Sequence, residues 1–344
     1  MKRLTVLVVC LLISTAIAGC QNIGNHTDGK STETSVAKQK TEQEASGNQM
    51  EKGEVFTVNT KVKDVINDTA FGDYGRLIFP VDMQIKDNLK LKNVEDILPW
   101  YSEVNPKKTV EIVNYMKEQA ENGQQIFYDI YSDEEKQADP DKENTGLFFF
   151  RGKSGAKTAV TNAGGGFVYV AGIHDSFPHA LELSKKGYNA FALIYRPGAQ
   201  TACEDLARAI AFLYDHAEEL QIDMDGYSLW GGSAGARMAA WLGSYGTEAF
   251  GEKVYPRPGA VIMQYTGLSE VTGQEPPTYA CVGTKDGIAS YRSMASYINQ
   301  IKADGTDAEI QVFEGLSHGF GLGQGTVAEG WIDEAVSFWE GQVD

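Results

Sequence analysis

Ser233 stands in the run Trp230-Gly231-Gly232-Ser233-Ala234-Gly235, and a single histidine, His318, follows it in the chain. A serine with glycine two residues away on either side is the pattern of a nucleophile elbow, a strained strand-to-helix turn that presents the hydroxyl. Five residues alone prove little, because so short a pattern arises by chance in a glycine-rich chain. The surroundings carry more weight. Tyr227 to Trp230 reads as a short buried strand, and Ala234 to Leu242 as a helix opening directly after the serine. That is the setting an elbow requires.

A serine hydroxyl needs a base, and the base needs an acid to orient it. After an elbow serine the chain order is acid, then histidine. His26, His174, His179 and His216 all come too early, which leaves His318, in a loop just past the alternating strand Ala308 to Phe313. The acid should also leave a strand end. Tyr279 to Val282 is a compact apolar strand that runs into Gly283-Thr284-Lys285-Asp286, so Asp286 is favoured and Glu314 is the alternative. Asp304, Asp307 and Glu309 read as solvated charges. A tetrahedral intermediate also needs donors for its oxyanion. One is the backbone N–H of Ala234. Others are expected from the glycine loop Ala163-Gly164-Gly165-Gly166-Phe167, which follows the strand Thr158 to Asn162.

From Gly146 onward the chain resembles α/β-hydrolase esterases of the acetylesterase, hormone-sensitive-lipase-like and carbohydrate-esterase groups. The runs that carry the resemblance are Gly164-Gly165-Gly166-Phe167, Asn189 to Arg196, Gly231-Gly232-Ser233-Ala234-Gly235, Gly283-Thr284-Lys285-Asp286 and His318-Gly319-Phe320. The resemblance implies a triad of Ser233, Asp286 and His318, with Gly165, Gly166 and Ala234 as oxyanion donors. One departure is plain. Those relatives usually carry a histidine directly before the three glycines, and here that residue is Ala163.

The N-terminus points to a compartment. Lys2-Arg3 form a basic region, Leu4 to Ile13 a short apolar core, and Ile17-Ala18-Gly19-Cys20 matches the lipobox of bacterial lipoprotein precursors. Residues 1–19 are then expected to be a signal peptide, with Cys20 lipidated and residues 20–55 a lipidated N-terminus and disordered tether. The protein is expected on the cell membrane, lipid-anchored and facing the extracytoplasmic side; an ordinary secretory signal is the alternative. A formal charge of −17 argues against nucleic-acid binding. The acidic stretch from Ser132 to Asn144 lacks the glycine and the bidentate acid of a calcium loop and reads as a solvated surface loop. No histidine or cysteine spacing points to zinc, so neither metal nor cofactor is expected. Cys281 reads as a small buried hydrophobe, and a pairing with Cys203 is left open.

Strands and helices must alternate to place these residues. Strands are predicted at Gln125–Tyr131, Gly146–Arg151, Asn189–Tyr195, Ala260–Tyr265 and Thr278–Val282, besides those already described. Helices are predicted at Lys107–Glu121, Ala180–Lys186, Ala202–Leu220, Tyr291–Ala303 and Val327–Trp339. The alternation implies an α/β fold, a mostly parallel central sheet with helices on both faces, whose active residues gather at the carboxyl ends of the strands. Residues 125–344 form the catalytic unit, and 56–124 an N-terminal extension or cap, more simply an extension of the scaffold. His174 reads as a surface residue more readily than a pocket-lining one, and Arg196, Trp230 and Arg237 read as structural. The composite expectation is a serine esterase acting on short acyl esters, acetyl groups on carbohydrate among them. The alternatives are a binding lipoprotein that keeps the fold without turnover, and a peptidase or acyltransferase of the same fold.

Overall fold

The computed structural model describes residues 53–343. The signal segment, Cys20 and the tether as far as residue 52 lie outside the described residues. Eight strands form one sheet: β1 Phe127–Tyr128, β2 Gly146–Phe150, β3 Lys157–Asn162, β4 Asn189–Ile194, β5 Asp223–Gly232, β6 Ala260–Gln264, β7 Thr278–Gly283 and β8 Ala308–Phe313. Their order is β1-β2-β4-β3-β5-β6-β7-β8. The two pairings made by β2 are antiparallel, and every pairing from β4 to β8 is parallel. The helices are α1 Val62–Ile66, α2 Pro106–Glu121, α3 Asp133–Ala138, α4 Ser176–Lys186, α5 Ala199–Asp215, α6 Ala217–Leu220, α7 Ala234–Tyr245, α8 Tyr291–Ala303 and α9 Trp331–Val343.

Residue alternation in β5 shows which helices cover which face. Trp230 packs against Trp331 and Trp339 of α9. Its neighbour Gly231 faces the other way, where a Cβ would stand 2.3 Å from the backbone of Gly235 in α7. Successive strand residues point to opposite faces, so α9 and α7 lie on opposite sides of the sheet. Thr161, in register with Trp230, donates its hydroxyl to Ser176 O at the start of α4. Hence α4 shares the α9 face. Strands covered on both sides should be apolar throughout, and β2, β4, β6 and β7 are buried at every residue.

Several boundaries differ from the sequence expectation. The opening strand shrinks to Phe127–Tyr128, because it pairs only with the first part of β2 at the sheet edge. The long helix predicted from Ala202 begins at Ala199 and breaks at His216, before the single turn of α6. The last helix begins at Trp331 rather than Val327, after Gly330 at a φ of 89°. The acidic stretch is helical, not a loop. Ser132 and Glu135 close a capping box at the start of α3, and Asp139 pairs with Arg196. The ordered turns around Phe71 to Pro80 include a 3₁₀ helix over Gly72–Ile78. Cys203 and Cys281 are both buried and free, and burial pushes the Cys203 thiol up to about 12.

Residues 53–124 belong to the same compact unit as the sheet. Asn105 caps α2, whose Lys108 and Glu111 form ion pairs with Glu182 and Lys185 of α4. Lys117 of α2 meets Asp68 in a buried pair at 2.9 Å. The segment just before α2 runs to the carboxyl end of the sheet, where the candidate site lies.

Candidate active site

The elbow is built by close approach. Ser233 has φ 51° and ψ −115°, a conformation that side chains other than glycine rarely adopt, held between β5 and α7. Its backbone N–H donates to Gln264 O of β6 at 2.9 Å. A Cβ on Gly235 would stand 2.1 Å from Asn162 O, so α7 can pack this tightly on β3 only with glycine there. The spacing of the pattern is thus a packing requirement as well as a turn requirement.

His318 and Asp286 meet the serine from two later loops. His318 Nδ1 lies 2.8 Å from Asp286 Oδ2, and its Nε2 lies 3.0 Å from Ser233 Oγ. An ionised carboxylate only accepts, so Nδ1 carries the proton and Nε2 is left to accept from the serine hydroxyl. The other carboxylate oxygen, Oδ1, accepts from the N–H groups of Ile288 and Ala289 at 2.8 and 2.7 Å. That fixes the carboxylate plane. The His318 loop is held by Ser102, whose hydroxyl donates to His318 O at 2.8 Å. Glu314, the alternative acid, is exposed and makes no bond to His318.

The glycine loop presents unused donors. Gly164 N–H is taken by Asp175 Oδ2 at 2.6 Å. The N–H groups of Gly165, Gly166 and Ala234 make no hydrogen bond among the described residues. Gly166 and Ala234 line a cleft of roughly 220 Å³ together with Ser233, His318, Phe167 and Thr266. The arrangement has a hydroxyl in contact with a base, an acid behind the base, and uncommitted N–H groups beside the hydroxyl. It is suited to nucleophilic attack on a carbonyl and to holding the oxyanion that results.

Asp175 escaped the sequence reading. It is fully buried and accepts from three donors: Gly164 N–H, the Tyr101 hydroxyl at 3.1 Å and the Tyr265 hydroxyl at 2.6 Å. A Cβ on Gly232 would fall within 2.4 Å of its carboxylate, so the same group touches the elbow. Burial first, and then the neighbouring Asp175 charge, hold both phenols well above the usual tyrosine range. They therefore remain protonated donors. Tyr101 comes from the segment before α2, which also supplies Trp100, packed over Gly166 and half exposed.

His174 is not on the surface. It is buried, with Nε2 donating to Gly319 O at 3.0 Å beside the His318 loop, and burial lowers its pKa. Arg196 is clamped by Asp205 and Asp139. Trp230 donates its indole N–H to Ser228 Oγ under the sheet. Both are structural, as read from sequence. Arg237, one turn into α7, lines the cleft instead.

Comparison with known proteins accords with this architecture. The BD-FAE family model matches residues 151–261, the stretch from β3 through the elbow to β6. The acetyl ester-xyloside bifunctional hydrolase from Caldicellulosiruptor lactoaceticus superposes with a TM-score of 0.56 at 21% identity, covering 62% of this chain and 95% of that one. A thermophilic esterase from the planctomycete Thermogutta terrifontis, bound to propionate, gives 0.52 at 21% identity over 57% of this chain and 89% of its own. An α/β hydrolase enzyme from a Medee basin deep-sea metagenome library gives 0.51 at 21% identity over 58% and 93%. No curated protein is similar enough in sequence to be matched. The chain has the α/β-hydrolase fold.

Proposed function

We propose that the protein is a serine esterase that hydrolyses short acyl esters through an acyl-enzyme on Ser233. The observation that carries this reading is the unbroken chain of hydrogen bonds from Asp286 through His318 to Ser233, beside N–H groups with no partner of their own. Ser233 Oγ attacks the ester carbonyl as His318 Nε2 takes its proton, and Asp286 stabilises the imidazolium. The oxyanion accepts from Ala234 N–H and from Gly165 or Gly166 N–H. The intermediate collapses, the alcohol leaves with the proton from His318, and water repeats the sequence to free the acid. The cleft of roughly 220 Å³ has room for a short acyl group beside Ser233. The BD-FAE match, and the acetyl ester-xyloside hydrolase among the structural neighbours, support acetyl groups on carbohydrate as substrate. So does the half-exposed ring of Trp100 beside the glycine loop, an apolar face on which a sugar ring can rest.

The enzyme acts, on this proposal, from a lipid anchor at Cys20 on the extracytoplasmic side of the cell membrane; the basic region, apolar core and lipobox support it. Two acyl chains at roughly 0.8 kcal/mol per buried methylene suffice for stable anchoring. Cys20→Ser should release the protein from lipid attachment without altering its esterase activity in solution, and an unmodified Cys20 in membrane-extracted protein would overturn the anchoring.

The esterase reading is tested with p-nitrophenyl esters from acetate to octanoate. Acetate or propionate should be turned over fastest. A purified, folded protein that hydrolyses none of the series would overturn the reading.

A further inference from the structure

The cleft beside Ser233 contains one charged side chain that the proposed chemistry does not use. Among the described residues lining it, Arg237 is the only lysine, arginine, aspartate or glutamate. It lies one helical turn beyond the nucleophile, its own N–H donating to Ser233 O at 3.2 Å. Its guanidinium makes no hydrogen bond or ion pair among the described residues. What it has is an aromatic floor: the guanidinium carbon lies 5.7 Å from the centre of the Trp241 ring, which is itself stacked parallel on Phe167 of the glycine loop. The N–H groups of the fork are left unmet among the described residues. On one side stands Gly267, where even an added Cβ would remain 3.7 Å from Nη2.

Arg237 is partly buried and has neither a carboxylate nor a hydrogen-bond acceptor among the described residues, whereas Arg76, Arg151 and Arg257, which also lack an ion pair, each meet a neutral acceptor. The chain has 47 acidic residues against 30 basic ones, and carboxylates are found within reach of Arg196 and Arg208. Glu270 and Glu275 line the depression on the far side of Arg237, but neither pairs with it. Glu275 instead accepts from the N–H groups of Thr272, Gly273 and Gln274. Burial without a counter-charge lowers the Arg237 pKa, a cost that a bound anion would relieve.

We propose that Arg237 recognises a carboxylate on the ester substrate, so that the preferred substrate is an acidic ester. The proposal rests on the esterase reading and deepens it. A planar fork of N–H donors fits a carboxylate through two parallel hydrogen bonds, and a desolvating aromatic floor strengthens them. The carboxylate can belong to the alcohol part, as in an O-acetylated uronic acid, or to the acyl part, as in a dicarboxylic half-ester.

The test uses matched pairs of esters, one anionic and one neutral, of similar size. For the alcohol part these are 3-acetoxybenzoate and its methyl ester. For the acyl part they are mono-4-nitrophenyl adipate and 4-nitrophenyl hexanoate. The quantity read is the ratio of kcat/KM, anionic over neutral, for wild type, Arg237→Gln and Arg237→Lys. Intrinsic ester reactivity cancels between variants, and the fraction of folded enzyme cancels within each preparation. Losing a hydrogen-bonded charge should lower the ratio roughly 10- to 100-fold in Arg237→Gln, in the arm that carries the carboxylate where the substrate does. Arg237→Lys, which keeps the charge without the fork, should fall between the two. A ratio within twofold of wild type in both arms overturns the proposal. Wild-type protein that hydrolyses none of the four esters would instead strike at the esterase reading itself.

Discussion

Replacing Asp175 should separate the positioning of the glycine loop from the chemistry on Ser233. In Asp175→Ala three donors lose their acceptor at once: Gly164 N–H and the hydroxyls of Tyr101 and Tyr265. A buried donor left unmet costs about 1–3 kcal/mol, and water entering the space recovers part of it, so a loss of about 3–6 kcal/mol is expected. For a domain of this size that is roughly 5–10 °C in Tm. The kinetic effect has a different origin. Asp175 pins Gly164 and touches the elbow at Gly232, so without it Gly165 and Gly166 no longer hold a fixed place relative to Ser233. Losing one well-placed oxyanion donor costs about 10²–10³ in kcat, and Asp175→Ala should fall in that range with KM little changed. Tyr265→Phe removes one donor while the carboxylate keeps the other two, and should cost roughly tenfold. Thermal melts and steady-state kinetics on p-nitrophenyl acetate measure both effects. An Asp175→Ala enzyme that melts lower but keeps kcat within about threefold of wild type would refute the loop-positioning argument and leave Asp175 a purely structural acid.

Two further expectations follow from the same geometry. Asp286→Asn keeps an acceptor for the Ile288 and Ala289 N–H groups but turns an amide donor toward His318 Nδ1. The imidazole must then place its proton on Nε2, facing Ser233, and kcat should fall by roughly 10³–10⁴; full activity would move the acid role elsewhere. His174 and His179 are buried, and burial lowers both from the ordinary 6.5, so the unfolded chain takes up these protons first as pH falls. Stability should be level above about pH 6.5 and decline below it by up to about 2.7 kcal/mol per pH unit until the folded-state values are reached. A Tm unchanged between pH 7.5 and 5.5 would contradict this.

The parallel part of the sheet and the convergence of Ser233, Asp286 and His318 were legible in sequence because each rests on a local signal. β8 and α8 fall where apolar periodicity puts them. Ser233, Asp286 and His318 each lie just past a strand, where order along the chain leaves little choice. Asp175 had no such signal. The helix was expected only from Ala180, whereas α4 begins at Ser176, and the Asp175 side chain makes no capping bond there but turns to the glycine loop. Its two tyrosine partners lie 74 and 90 positions away in sequence. Apart from the helix expected at Lys107–Glu121, which is α2, residues 53–124 were opaque for a related reason. Their short helices bury apolar groups against the rest of the unit, and the approach of Tyr101 to the glycine loop is set by tertiary packing that no periodicity reports. Arg237 shows the opposite failure, since helical spacing places it on α7 but cannot tell whether a carboxylate waits for it.

The central claim is that Ser233 is the nucleophile, and an active-site titration tests it most directly. Purified protein is mixed with excess diethyl 4-nitrophenyl phosphate, a phosphoryl ester that traps activated serines. The released 4-nitrophenolate is counted, and the labelled peptide is located by mass spectrometry. The account predicts one 4-nitrophenolate per chain, a diethylphosphoryl group on Ser233, parallel loss of esterase activity, and no burst from Ser233→Ala. Label on another residue, or a Ser233→Ala protein that still gives the burst and still hydrolyses p-nitrophenyl acetate at the wild-type rate, would contradict it.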